Sequence, residues 1–502
     1  MFGSWSRRRF LQTAAGAGML AHKAPLVRAA EEKPVPRFLI VLCATGGASI
    51  VDSFLAVRES ESKNAAALNT YPDRLVQNVP GAEFRAIDLR AERIGLIPAS
   101  FQANQSNFVK KHARDMMVFT HTGTSVNHRV AEHRAVTGNA AWRGRTLQEA
   151  VALQYGAGYP IPNVHLVNGT GFTERGTDKS LPAWAYGEHV AAPNLWPLSL
   201  DGYQGVPGAP SRSLFEKARA FRNQTLDPKS PFYATFRTSK RLQHWIELRD
   251  EPVKNVEKLD LITKLMLFPD SPKMPLAASG LRGSELGEKV RAAFPRYYMD
   301  PLESQAALAF LLLRYGVSVT VTLGAEGSVV FKEGASLRGG RAQLGEGGVI
   351  NTPIAFDYSH QAHRETQALM WDRILSIADR LITLLKSEEF AAGQSFWDRT
   401  MIYVATDFGR TRRRPEQATS FGSGHDLNNG SLIISPFANG GKLLGGVDPD
   451  TLLTYGFDPQ TGKPEPGRTM TEAEIYAGLA RALGIDLGSA QLPDMRAMRR
   501  HA

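Results

Sequence analysis

Residues 400–426 read TMIYVATDFGRTRRRPEQATSFGSGHD. A run of strand-like residues, TMIYVA, feeds straight into Asp407, then a basic cluster, then a Gly-rich loop that ends in His425 and Asp426. An unbroken apolar run of this length reads as a strand buried on both faces, the pattern of a parallel sheet. Five other stretches share it: RFLIVLCA (37–44), MMVFTH (116–121), NVHLV (163–167), VSVTVTL (317–323) and SLIIS (431–435). Helical periodicity separates them. Leu369, Met370, Ile374, Ile377, Ala378, Leu381, Ile382 and Leu385 mark one face of a helix of about six turns. Residues 303–315 form another helix, joined to its strand through Gly316. Strands alternating with helices predict an α/β, doubly wound core with a mostly parallel sheet.

Two regions break the alternation. Residues 180–300 are rich in Pro, charge and aromatics and read as loops and helices inserted as a cap over one end of the sheet. Residues 324–356 are Gly-rich and read as a long loop or hairpin excursion. The letters DFG at 407–409 suggest a kinase, but no G-x-G-x-x-G loop, paired lysine or HRD loop accompanies them, so the nucleotide reading fails.

The 502 residues are 43% hydrophobic and 22% charged, a globular composition with no apolar run of the length a membrane span needs. Residues 6–12, SRRRFLQ, followed by TAAGAGMLA, read as a Tat export signal over 1–29, with a periplasmic or secreted mature chain over 30–502. Its passage would engage the Tat translocase and leave no stable membrane anchor. The signal carries Arg7, Arg8, Arg9, Lys23 and Arg28 and no acid, so the mature chain holds 54 basic and 49 acidic residues, a net +5 rather than +10. That balance gives no case for nucleic-acid binding. Cys43 is the only cysteine, which excludes an intrachain disulfide, and its apolar surroundings read as core.

Chemistry-bearing residues gather at the borders of the expected strands, where open α/β sheets bind ligands. His121, His128 and His133 follow the second strand; Asp357, His360 and His363 lie in FDYSHQAHRE; Asp407 closes one strand and His425 precedes the next. A carboxylate with imidazoles is a usable ligand set for zinc, manganese or iron. Arg410 is placed to attract an anion, whereas Arg412–Arg414 read as a solvated loop.

TDFGRT, the His-Asp pair after a Gly-rich loop, the apolar strand with ISPFANGGKLLGG, FDYSHQ and the ending MTEAEIYAGLARALGID together resemble a bacterial family of Tat-exported, sulfatase-like proteins. This is the domain-of-unknown-function family 1501, related to the alkaline phosphatase superfamily. The resemblance covers most of 37–485, weakly over 180–300 and most specifically in the last third. It implies a three-layer α/β fold with an inserted cap, and one or two divalent ions such as zinc, manganese or calcium. One ion would be held by Asp357, His360 or His363, and His425. A second would take Asp407 and an acid after the first strand, where CATGGAS offers none before Asp52. Such ions clamp the oxygens of a phosphoryl or sulfuryl transfer. The family's nucleophile lies about nine residues before a Thr-Gly pair. Counting back from Thr137-Gly138 reaches His128, with the hydroxyls of Thr124 and Ser125 close by and Asn127 a candidate for substrate contact alongside Arg410. Two functions follow as expectations: a metal-dependent hydrolase of phosphate or sulfate esters acting on a small or polymeric anionic substrate, or a non-catalytic exported binding or structural protein with a degenerate site.

Overall fold

The structure is a computed structural model that describes residues 34–88, 105–199, 281–298, 300–324, 355–415, 418, 420–488 and 490–500, with shorter pieces within 210–267 and 328–351. The expected export signal lies outside these residues, as does much of the region read as a cap. Among the described residues no helix is long and apolar enough to cross a membrane.

In chain order the main sheet is built from β1 (Phe38–Ala44), β2 (Met116–Thr122), β3 (Asn163–His165), β4 (Glu188–His189), β5 (Thr320–Gly324), β6 (Thr400–Thr406), β7 (Asn428–Ile434) and β8 (Lys442–Leu444). These eight strands lie side by side in the order β8-β2-β7-β6-β1-β5-β3-β4. All pairings are parallel except the two that flank β7, which runs against its neighbours β6 and β2. The architecture is therefore α/β around a mixed, mostly parallel sheet. Every residue of β1, β6 and β7 is buried, as a sheet covered on both faces requires.

The principal helices are α1 (Gln105–His112), α2 (His128–Thr137), α3 (Leu147–Tyr155), α4 (Glu285–Ala293), α5 (Pro301–Arg314), α6 (His363–Ser387) and α7 (Glu472–Ala482). They fall into two packing groups: α6 packs on α1, α4 and α5, and α7 packs on α2 and α3. Local chemistry starts several of them. Asn127 caps α2 by accepting from Val130 N, Asp300 caps α5 with Pro301 at its first turn, and Thr471 and Glu474 form a reciprocal capping box on α7. The apolar stripe of α6 is buried at all eight positions from Leu369 to Leu385 read from the sequence.

The described pieces of 180–300 belong partly to the main body. Glu188–His189 extends the sheet edge, and Leu261 and Leu265 join the hydrophobic core. Residues 324–356 contain two short antiparallel ribbons, Ser328–Lys332 with Gly347–Asn351 and Ser336–Arg338 with Arg341–Gln343.

The register of the sheet positions the chemistry. Ala44 pairs with Thr406, so β1 and β6 end level and release Thr45–Gly47 and Asp407 side by side. Asn428 pairs with Thr122, so the antiparallel β7 begins where β2 ends. The loops before β7 and after β1, β2 and β6 thus all open at one edge, the carboxyl edge of the parallel strands.

Candidate metal centre

Asp357 sits in the single helical turn Ala355–His360, and four cationic or imidazole groups converge on its Oδ1. His128 Nε2 lies 3.3 Å away, His360 Nε2 3.1 Å, His425 Nε2 3.4 Å, and Arg410 donates through Nη2 at 2.8 Å. Ligand atoms of His128, Asp357 and His425 all lie within 4.8 Å of one another. His360 borders the group, its Nε2 2.9 Å from that of His425. These residues come from the start of α2, the turn before α6 and the segment before β7.

The imidazoles are aimed by what their other nitrogens hold. His425 Nδ1 lies 2.9 Å from Val126 O. A carbonyl only accepts, so Nδ1 carries the proton and Nε2 presents a lone pair. That lone pair faces the Asp357 carboxylate at 3.4 Å and His360 Nε2 at 2.9 Å, a position open to a cation. His128 Nδ1 donates to Asp407 Oδ2 at 2.8 Å. Phe408 stacks on His425 with ring centroids 4.1 Å apart and also contacts His128. A divalent ion 2.0–2.1 Å from each of four tetrahedral ligands needs ligand separations of roughly 3.3–3.4 Å. Two of the three ligand pairs, His128–Asp357 and His425–Asp357, have spacings that fit such an ion, and all three ligand atoms lie within 4.8 Å of one another.

Electrostatics follow the same geometry. Burial disfavours charge on His128, but hydrogen bonds to Asp357 and Asp407 outweigh it and hold its pKa at about 9. Burial likewise works against the Asp357 carboxylate, yet the His128 and Arg410 hydrogen bonds keep it well below the usual carboxylate range. Burial lowers the pKa of His425, against the hydrogen bond to Val126 O and with the help of the nearby Arg410 and His128 charges. Asp357 and Asp407 against Arg410 leave a surplus of one negative charge when the imidazoles are neutral. A divalent ion would turn this into one positive charge, suited to an anionic ester.

The other candidates are placed differently. Asp407 lies beneath His128 and accepts from Gly46 N at 3.1 Å and Gly47 N at 2.7 Å. Gly46 and Gly47 have φ of +97° and +81°, which turns both N–H groups toward the carboxylate; a Cβ on Gly47 would fall 2.4 Å from Arg410 Nε. Arg410 itself is buried, donating to the carbonyls of Gly46, Phe356 and Ser423 as well as to Asp357. It therefore anchors Asp357 from behind. Of the neighbouring arginines, Arg412 pairs with Asp426 and Arg414 is buried against Glu59, so only Arg413 is solvated as the basic run suggested.

Asp52 and His363 do not join the cluster. His363 is the first residue of α6, fully buried, with Nε2 3.1 Å from Asp52 and Nδ1 2.7 Å from Ser423 Oγ. The helix begins at His363 rather than before Asp357, so His360 and His363 share no helical face, and the sequence alternative resolves to His360 beside Asp357. Thr124 Oγ1 donates to Glu472 Oε2 at 2.7 Å and accepts from Arg134, Ser125 Oγ accepts from Asn127 N, and Asn127 serves as the α2 cap. None of the three presents its side chain to Asp357. His121 and His133 are likewise elsewhere: His121 is buried beside Ser431, where burial lowers its pKa to about 4. The sequence reading missed the Gly46–Gly47 cradle, although Gly-Gly directly after an apolar strand is the signal that marks it.

Glu132 lies one turn beyond His128 on α2 and accepts from Thr170 Oγ1 and Gly171 N. Burial, then the neighbouring Asp407 charge, raises its pKa to about 7. The folded protein thus binds this proton more tightly than the unfolded chain, whose glutamate titrates near 4.5. The contribution is fully present below that value and is lost as pH rises toward 7. Glu132→Gln removes the charging step, so its stability relative to the wild type is expected to rise between pH 5 and pH 7.5. Paired denaturant titrations at the two pH values check this, and a constant difference would refute it.

Comparison of the chain with protein-family models finds no match, and comparison with curated proteins finds none either.

Proposed function

We propose that the chain is an exported metal-dependent hydrolase of phosphate or sulfate esters, built on a fold of the alkaline phosphatase and sulfatase type. The observation that carries the reading is the meeting of His128, Asp357 and His425, from three separate segments, within 4.8 Å. His128, Asp357 and His425 would hold a divalent ion such as zinc, manganese or calcium, with His360 beside them. The ion would supply Lewis-acid polarisation of a phosphoryl or sulfuryl oxygen. Around it the chain's own groups have defined work: Asp407 and Val126 O orient two imidazoles, Arg410 holds Asp357 in place, and the resulting positive site draws an anionic substrate. The amino-terminal twin-arginine segment supports export through the Tat translocase to the periplasm or beyond. The likeness to the domain-of-unknown-function family 1501 rests on the motifs around Asp357, Asp407 and His425.

A second reading, a non-catalytic exported binding protein, draws on one observation. Thr124 Oγ1 donates to Glu472 and Ser125 Oγ accepts from Asn127 N, so the hydrogen bonds of these two hydroxyls run away from the Asp357 cluster. One experiment separates the two. The purified mature protein is analysed for bound metal, then assayed with aryl phosphate monoesters, diesters and aryl sulfates after loading with zinc, manganese or calcium. Hydrolysis that disappears in His425→Ala supports the enzyme. Bound metal without turnover favours the binding protein, and absence of both metal and turnover sinks the metal-centre reading.

A further inference from the structure

We infer that this centre holds a single divalent ion, and that Asp407 is the carboxylate that positions His128 to ligate it through Nε2 rather than a ligand of a second ion. The inference rests on the metal-centre reading above and adds the number of ions and the role of Asp407.

Asp407 is almost wholly buried, and its oxygens are already engaged. Gly47 N donates to Oδ1 at 2.7 Å; Gly46 N and His128 Nδ1 donate to Oδ2 at 3.1 and 2.8 Å. Two successive N–H groups in a left-handed turn make a concavity for an anion and repel a cation. A metal on Asp407 would be confined to the one open lone pair of Oδ1, close to the positive end of the Gly47 N–H.

A second ion also lacks further ligands. Among the described residues, the one group of three or more metal-capable side chains is His128, Asp357 and His425. The nearest acid to follow β1 is Asp52, which is buried and occupied: Asn69 Nδ2 and Tyr71 OH donate to it, and His363 faces it. Where two carboxylates would be needed, the described residues offer one that already accepts three hydrogen bonds and one that is elsewhere.

The positive evidence is a shared pattern. His128 and His425 each bind an acceptor through Nδ1, Asp407 in one case and Val126 O in the other. Each then turns Nε2 toward Asp357 Oδ1. A carboxylate or carbonyl behind Nδ1 is how proteins fix the tautomer and direction of a ligating imidazole.

The test is a count of ions. Metal-free mature protein is titrated with cobalt(II), followed by elemental analysis and visible spectroscopy. The expected result is one cobalt per chain. Asp407→Asn is expected to keep one cobalt, bound about 10- to 100-fold more weakly, with visible bands shifted as His128 loses its orientation. Asp357→Asn is expected to bind none. Two cobalt ions in the wild type overturn the inference while leaving the metal-centre reading intact. No cobalt in the wild type overturns both. An Asp407→Asn protein with unchanged affinity and spectrum also overturns it. If that variant fails to fold, Asp407→Glu is measured in its place, with the same expected and overturning results.

Discussion

Asp357→Ala is expected to abolish metal uptake and to destabilise the metal-free protein by about 2 kcal/mol. Removing one partner of a buried ion pair costs about 3–5 kcal/mol, because the other charge is left without compensation. Here the Arg410 side chain is fully buried, but that of Asp357 is 30% exposed, so solvent screening reduces the figure. Arg410 also keeps its carbonyl acceptors at Gly46, Phe356 and Ser423, which limits the loss further. Asp357→Asn separates the two effects: its amide oxygen still accepts from Arg410, so stability should largely return while metal binding does not. Denaturant titration and elemental analysis of the same preparations measure both quantities. Metal retained by Asp357→Ala at the wild-type level would remove Asp357 from the centre.

Trp371→Ala should be the more damaging change to the fold, about 3–5 kcal/mol. Trp371 lies on the buried face of α6 and meets two rings edge to face, Phe54 at 5.4 Å and Phe356 at 5.6 Å between centroids. Truncation leaves a void that a packed interior fills only in part. The effect should reach the site, because Phe356 immediately precedes Asp357 and its N–H donates to Thr45 O beside the Gly46–Gly47 cradle. Weaker cobalt binding is therefore expected in any folded Trp371→Ala protein. Trp371→Phe is the control: Trp371 Nε1 is buried without a hydrogen-bond partner among the described residues, so losing that donor offsets part of the lost packing. A loss below about 1 kcal/mol for Trp371→Ala, by denaturant titration, would show that the void closes.

The strands and helices of the core were legible because burial is written in local patterns. Runs such as FLIVLCA and MIYVA are short, continuously apolar and rich in β-branched and aromatic residues, as strands covered on both faces are, and the eight-residue stripe of α6 has one period and one buried side. The antiparallel course of β7 was not legible, since an apolar run reads the same in either direction. That single reversal brings His425 to the edge where β2 and β6 end, and so it decides that His425 can meet His128 and Asp357.

At the site, residue type, border position and the family resemblance nominated Asp52, Asp357, His360, His363, Asp407 and His425 as ligands and His128, Thr124 and Ser125 as reacting groups. Sequence alone could not rank them. Asp357 and Asp407 are both aspartates beside expected elements, yet one faces three imidazoles and the other faces two glycine N–H groups and the far side of one imidazole. His360 and His363 differ by three positions, yet α6 begins between them, leaving one at Asp357 and the other sealed against Asp52. The sequence by itself determined the composition of the core, the alternation of strand and helix, and the short list of groups able to bind a cation. The tertiary structure decided which of those groups share a point in space and which nitrogen each imidazole presents. The reason is physical: burial depends on a side chain's own chemistry repeated along the chain, whereas a ligand set depends on register, strand direction and the acceptor behind each ring, all made by residues far apart in sequence.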